Sequence, residues 1–240
     1  SWGDQLTFGA GDGRLATPDA LAQRMDVWRS ELGAGTLHWR LLRARLDGRF
    51  QAAHGFRHPS EVQASTAWDD FRTVPRLARE RGLRTYLYVS LFDEGWPLAR
   101  PKQRAVSYHN AMHWQHTAWQ SRFSFEHPEF TVVNRTGRRR QWGVLCLAEP
   151  AVRAHFINRF YDFIKPTDFD GLFLCLRSQS KPADKGDQFG FNRLVREEFL
   201  RRHGVDIRCE PFDLNAWRTL RGNYLTLFLR ELRFRLNQAG

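Results

Sequence analysis

Long apolar runs are missing from this 240-residue sequence. The most apolar stretch, Leu172 to Leu176, falls far short of the ~20 residues that a membrane-crossing helix needs, and no basic-then-apolar leader is present. No membrane partner is expected. The chain opens on Ser1 rather than Met, which leaves export to the periplasm or the medium, after removal of a leader, as an open expectation. Cysteine is scarce. Cys146, Cys175 and Cys209 are too few and too far apart for a disulfide framework or a CxxC metal knot, and read as buried thiols. Acidic residues are also short, 26 against 37 Lys and Arg, for a net charge of +11. Such a charge invites an anionic polymer. The basic residues are nevertheless spread along the chain apart from Arg138, Arg139 and Arg140, and no helix-turn-helix or zinc-finger spacing goes with them, so nucleic acid is not the expected partner. His109, His113 and His116 have helical spacing, but no acidic residue of an HExxH type accompanies them. A surface helix is the expectation there, with no metal and no cofactor.

What the sequence does have is 42% hydrophobic residues and nine tryptophans, enough for a substantial core. Thr17 before Pro18 marks a helix start, with apolar residues Leu21, Met25, Val27, Trp28 and Leu32 behind it. Thr36 to Leu42 follows as a first strand, and Ala44 to Ser65 as an elaborate loop. Trp68 to Arg81 reads as a helix closed by Gly82. Leu83 to Phe92 is the clearest strand, a near-continuous run suited to burial on both faces. After a long insertion, Leu98 to Gly137, come a third strand at Trp142 to Leu147, an amphipathic helix at Ala151 to Ile164 and a fourth strand at Phe169 to Leu176. Arg177 to Gly190 reads as a polar loop, and helices are expected over Phe191 to His203 and Leu214 to Leu236. Strands alternating with helices call for parallel pairing through crossovers. The expected fold is therefore α/β, a parallel-stranded partial (β/α)8 (TIM-type) barrel of about four to five βα units in a single domain spanning 1–240. A barrel takes eight such units in ~250 residues, so further C-terminal sequence is expected. A doubly wound open sheet satisfies the same pattern.

Three landmarks occur in order: His127-Pro128-Glu129-Phe130; Glu149-Pro150-Ala151-Val152-Arg153 after a strand; and Asp170-Gly171 opening the next. In this the sequence resembles the glycoside-hydrolase-like barrel proteins. The resemblance implies a carbohydrate-active protein, foremost a glycoside hydrolase using strand-end carboxylates, with its site at the C-terminal ends of the strands and a carbohydrate substrate or ligand. One departure stands out. Cys175 falls where such barrels commonly carry an acid late in the "DG" strand, which casts doubt on hydrolysis by two carboxylates and opens a noncatalytic glycan-binding or structural role.

Glycosidic cleavage pairs a proton-donating carboxyl with one that attacks sugar or activates water. The strand-end candidates are Asp93 and Glu94, and Asp187 in the loop after the fourth strand. Glu149 is weaker, since an acid beside Pro150 at a helix start also complements the helix dipole. Arg40 and Arg177 lie where a guanidinium could fork to an acidic sugar or to a structural carboxylate. Trp96 and Trp142 offer stacking platforms, as does Trp39, and core packing competes for all three. Gln188 and Asn192 could bind sugar hydroxyls, although Asn192 is equally suited to capping a helix. Asn134-Arg135-Thr136 matches a glycosylation sequon.

Overall fold

The computed structural model describes residues 17–40, 43–44, 50–51, 68–92, 94, 121–176 and 187–238. The chain divides into two compact units. The first holds α1 (Pro18–Ser30), β1 (Thr36–Arg40), a short antiparallel pair β2 (Arg43–Ala44) and β3 (Phe50–Gln51), α2 (Asp70–Glu80), β4 (Arg84–Ser90) and β7 (Gly171–Cys175). The second holds α3 (Arg122–Glu126), β5 (Thr131–Val133), β6 (Arg140–Leu145), most of α4 (Pro150–Ile164), α5 (Arg193–His203) and α6 (Leu214–Asn237).

In the first unit, helix ends form where the sequence puts capping chemistry. Thr17 Oγ1 accepts from the Ala20 amide at 3.1 Å, with Pro18 leading the helix, and Asp69 accepts from the Arg72 amide. These side chains satisfy amides that the first turn leaves without carbonyl partners. Beyond α2 the Leu83 amide returns to the Ala78 carbonyl at 2.8 Å, so the chain leaves the helix directly into β4. The three strands β1, β4 and β7 pair in that order, all parallel, with Trp39 opposite Leu87 and Leu87 opposite Leu172. The expected parallel pairing of Leu83 to Phe92 with Phe169 to Leu176 is thus observed. Side chains alternate across a strand, and here the two faces differ. Trp39, Thr85, Leu87 and Val89 are buried on one, together with Leu21 and Met25 of α1 and Phe71, Val74, Leu77 and Ala78 of α2. On the other, His38 stacks on Phe173 at 4.1 Å and Phe173 on Tyr88 at 5.2 Å, and Phe173 stays exposed. Full burial of both faces was expected from the apolar run. Tyrosine and histidine in the alternate positions account for the difference, because their polar tips keep that face partly wet.

The Asp170-Gly171 landmark sets the register of this sheet. The Asp170 carboxylate accepts from the Thr85 amide at 2.7 Å and from its hydroxyl at 3.2 Å, while the Asp170 amide donates to the Thr85 carbonyl at 2.9 Å. Gly171 then lies opposite Tyr86, where a Cβ would come within 3.2 Å of the phenol ring.

In the second unit the expected third parallel strand is corrected. Arg140–Leu145 joins neither β4 nor β7; it pairs antiparallel with β5, Thr131 opposite Leu145, in a separate two-stranded sheet. The reason is local. Thr131-Val132-Val133 is a β-branched run inside the stretch read as an insertion, and the turn after it holds itself together: the Asn134 carboxamide oxygen accepts from the Arg139 amide and from the Thr136 hydroxyl. Gly137 takes φ +74°, a conformation that costs glycine little. A turn of this kind favours the neighbour in sequence over a distant parallel partner. The sequon asparagine therefore has a structural task. The segment 187–192 docks on the free side of β5: the Gly190 and Phe191 amides both donate to the Val133 carbonyl, at 2.9 and 3.0 Å. Around it Val132, Cys146, Phe189, Phe191, Val195, Phe199, Ile207, Trp217 and Leu220 form one buried cluster, in which Phe191 stacks on Trp217 at 4.6 Å. Phe156, Phe160 and Phe228 form an aromatic group beside α4 and α6, each 0% exposed. Asp213 caps α6 through the Asn215 and Ala216 amides.

Two substitutions probe this ledger of contacts at different scales. Phe156→Ala is expected to lower the unfolding free energy by about 3–5 kcal/mol, since it empties a fully buried ring site; Asp213→Ala, which removes only a cap, by about 1 kcal/mol. Urea unfolding followed by tryptophan fluorescence measures both.

Candidate functional site

Glu94 follows β4 closely, where the sequence placed a candidate acid, and is 0% exposed. Its main chain is held at both ends, the amide by the Gly143 carbonyl at 3.0 Å and the carbonyl by the Ser121 amide at 2.9 Å. Its Oε1 accepts from Arg159 Nη1 at 2.6 Å. Arg159, on α4, lies over the rings of Phe156 and Phe160 at 4.9 and 5.2 Å. A carboxylate this far from water needs such a cation, because an unpaired buried charge costs several kcal/mol, on the order of 3–5. One turn back, His155 stacks on Phe123 with centroids 3.9 Å apart. Burial, reinforced by the Arg159 charge, pushes its pKa down to about 3. The imidazole is therefore neutral at pH 7. Its Nε2 lies 3.3 Å from Arg159 Nη1, and a guanidinium can only donate, which assigns the ring proton to Nδ1. Pairing is incomplete: Glu94 Oε2 and Arg159 Nε and Nη2 are buried without a hydrogen-bond partner among the described residues.

Asp187 is met by a different arginine. Its two carboxylate oxygens accept from Arg218 Nε at 3.1 Å and Nη2 at 2.5 Å, a fork-to-fork pair. The Arg218 hydrogen bonds hold the carboxyl below the usual range. Gln188 is half-buried with Oε1 unpartnered. Asn192 does occupy the N-cap position of α5, but its side chain makes no capping bond there. It reaches β5 instead, donating to the Thr131 carbonyl at 3.0 Å and accepting from the Val133 amide at 3.2 Å. Trp142 is half-buried in β6, whereas Trp39 is buried in the first unit and its indole N–H donates to Asp70 Oδ2 at 2.6 Å. Asp93, Trp96 and Arg177 lie outside the described residues, as do His109, His113, His116 and the side chain of Arg40. Among the described residues no cluster of His, Cys, Asp and Glu could hold a metal ion, and no helix is long and apolar enough to cross a membrane.

Glu149 differs from the other acids. Partial burial raises its pKa, against the pull of Arg193. Its neighbours in the EPxVR landmark are structural: Val152 is fully buried, and Arg153 donates to the Leu147 and Ala148 carbonyls and to Glu231 Oε2. In the HPE landmark, His127 Nδ1 lies 3.2 Å from Glu129 Oε1, and the Pro128 carbonyl accepts from Arg140 at 2.6 Å.

Sequence reasoning missed a cavity of about 300 Å³ in the second unit. Val132, Leu145, Leu147, Val195 and Leu225 supply apolar wall, and Arg218, Arg221 and Tyr224 of α6 supply polar groups. The available signal was Trp217 four residues before Arg221, a spacing that lays a guanidinium on an indole along one helix face. The Arg221 guanidinium carbon lies 4.4 Å from the Trp217 ring centroid.

No family model matches the chain, and no curated protein matches it. Among solved structures it is similar to alpha-L-fucosidase isoenzyme 2 from Paenibacillus thiaminolyticus, at 14% identity and a TM-score of 0.46. That match covers 95% of this chain and 28% of the other. A likeness of that size leaves the function to the chain's own residues.

The Glu94–Arg159 pair makes a measurable claim. Arg159→Met leaves a carboxylate buried alone, so the expected loss is about 3–5 kcal/mol, and Glu94→Gln, Arg159→Met together should lose less than the sum of the single changes. A double-mutant cycle in urea reads this out. His155 gives a pH test. Its folded pKa lies below the unfolded value, so the unfolded chain binds more protons between pH 6.5 and about 3, and stability falls as pH drops through that window. His155→Gln is expected to flatten the acid limb of a melting-temperature profile between pH 4 and 7.

Proposed function

We propose that this chain is a carbohydrate-active protein of the glycan-binding kind, one that holds sugar without cleaving it. Support for sugar as the ligand comes from the ordered HPE, EPxVR and DG landmarks and from the parallel β1–β4–β7 sheet, which we take as part of a (β/α)8 scaffold. The observation that carries the noncatalytic reading is that Glu94 and Asp187, two of the strand-end candidates, are each engaged by an arginine. Glu94 is tied to Arg159 and Asp187 to Arg218, and the Arg218 hydrogen bonds favour the carboxylate form of Asp187. Hydrolysis needs one carboxyl that still carries its proton near neutral pH. Cys175, half-buried opposite Ser90, adds no acid at the place where related barrels commonly have one. On this reading Glu94 and Asn192 build the scaffold, and sugar contact falls to Trp142 and Gln188 and to Arg40, Trp96 and Arg177.

A second reading, glycoside hydrolysis, draws on Glu149, whose burial favours the protonated form. Asp93 or Asp187 would then serve as its anionic partner.

Glycan-array binding combined with product analysis on oligosaccharides separates the two. Saturable binding with intact oligosaccharide is expected, and Trp142→Ala should weaken it by about 0.5–1.5 kcal/mol, the worth of an aromatic contact. Turnover that disappears in Glu149→Gln would replace this reading with the hydrolase. Absence of binding to any glycan would remove both.

A further inference from the structure

The cavity beside α6 combines two features that point to a ligand of a different kind from a sugar. Its wall is mainly apolar, from Phe92, Val132, Leu145, Leu147, Val195 and Leu225. A sugar offers hydroxyls all round its ring, and such a wall would leave most of them without partners. Against this wall stands one cation whose charge is not spoken for. Arg221 lies on the Trp217 ring and makes no hydrogen bond or ion pair among the described residues. Its neighbour Arg218 is committed to Asp187 through both carboxylate oxygens.

Arg221 is also held in place. One side is fixed by Trp217, and on the other a Cβ at position 190 would lie 2.5 Å from Arg221 Nε. Gly190 itself has φ +113°, so the backbone and the close approach both demand glycine there. The guanidinium thus loses little freedom when it binds, which favours affinity. Burial lowers the Arg221 pKa, consistent with a cation that has lost water without gaining a full counter-ion. Tyr224 lines the same cavity, and its burial favours the protonated hydroxyl, a hydrogen-bond donor. Cys146, also in the wall, is pushed up to about 11 by burial and stays a neutral thiol.

We propose that this cavity binds a small monocarboxylate with an apolar body, the carboxylate forked onto Arg221 with the Tyr224 hydroxyl beside it and the hydrocarbon against the aliphatic wall. A planar guanidinium matches two carboxylate oxygens. A phosphate dianion fits less well, because one uncommitted guanidinium is offered and the Asp187 carboxylate stands close enough to act on Arg221. A volume of about 300 Å³ sets the ligand at the small end of the usual range. This site does not depend on the sugar-binding reading.

Phenylacetate and hexanoate are the probes, with phenylacetamide as the uncharged counterpart of the first, measured on the full chain by titration calorimetry and amide NMR shifts. Phenylacetate is expected to bind at least ~10-fold more tightly than phenylacetamide, the difference of one charge-assisted pair. Arg221→Gln should remove that preference. Gly222 lines the cavity, and a Cβ there would meet no atom within 4 Å; Gly222→Phe should therefore block all three probes, with the fold checked by circular dichroism. Equal affinity for acid and amide overturns the proposal. So does an Arg221→Gln protein of native far-ultraviolet spectrum that keeps the preference, or no binding of any probe by the native chain up to about 10 mM, weaker than fragments of this size achieve in a formed pocket.

Discussion

Arginine side chains tie the second unit together by donating to carboxylates and to backbone carbonyls. Arg159 reaches Glu94, Arg153 reaches two carbonyls and Glu231, and Arg140 reaches the Pro128 carbonyl. Arg135 reaches the Ile207 and Glu210 carbonyls, and Arg208 the Thr136 carbonyl, which fastens the β5–β6 turn to the stretch before α6. The five donors of arginine in a fixed fork suit irregular backbone, where carbonyls lack ladder partners. Some of the basic residues are thus used within the chain's own architecture. Against this pattern Arg221 has no hydrogen-bonded acceptor among the described residues.

How far the sequence could be read depended on the range of the interactions involved. Arg81-Gly82, Thr17-Pro18 and the helix from Leu214 were legible because caps and stop signals act within a few residues. The parallel pairing of β4 with β7 was legible because the runs are apolar and separated by helix. The partner of Trp142 to Leu147 was not, since a short apolar run carries no record of the direction of its neighbour. The turn from Asn134 to Arg139 held that information, but it lay in a stretch read as insertion. For the acids the limit was similar. Position after a strand can be inferred from order along the chain; that Glu94 meets Arg159, 65 residues on, cannot.

The landmarks that suggest a family have clear local duties. Asp170 fixes register through Thr85, Gly171 makes room for Tyr86, Arg153 ties α4 to the end of β6, and Pro128 opens a single turn of 3-10 helix. These duties are explained by the fold alone. Motifs with such structural duties do not establish an activity, which has to be argued from groups that face a ligand.

The docking of 187–192 along β5 has a consequence for the life of the protein in a crowded solution. With β6 on one flank and the Gly190 and Phe191 amides and the Asn192 carboxamide on the other, this short β-branched strand presents no vacant ladder. A foreign strand seeking to add to the β5 edge, the first step of edge-to-edge aggregation, finds that place already taken.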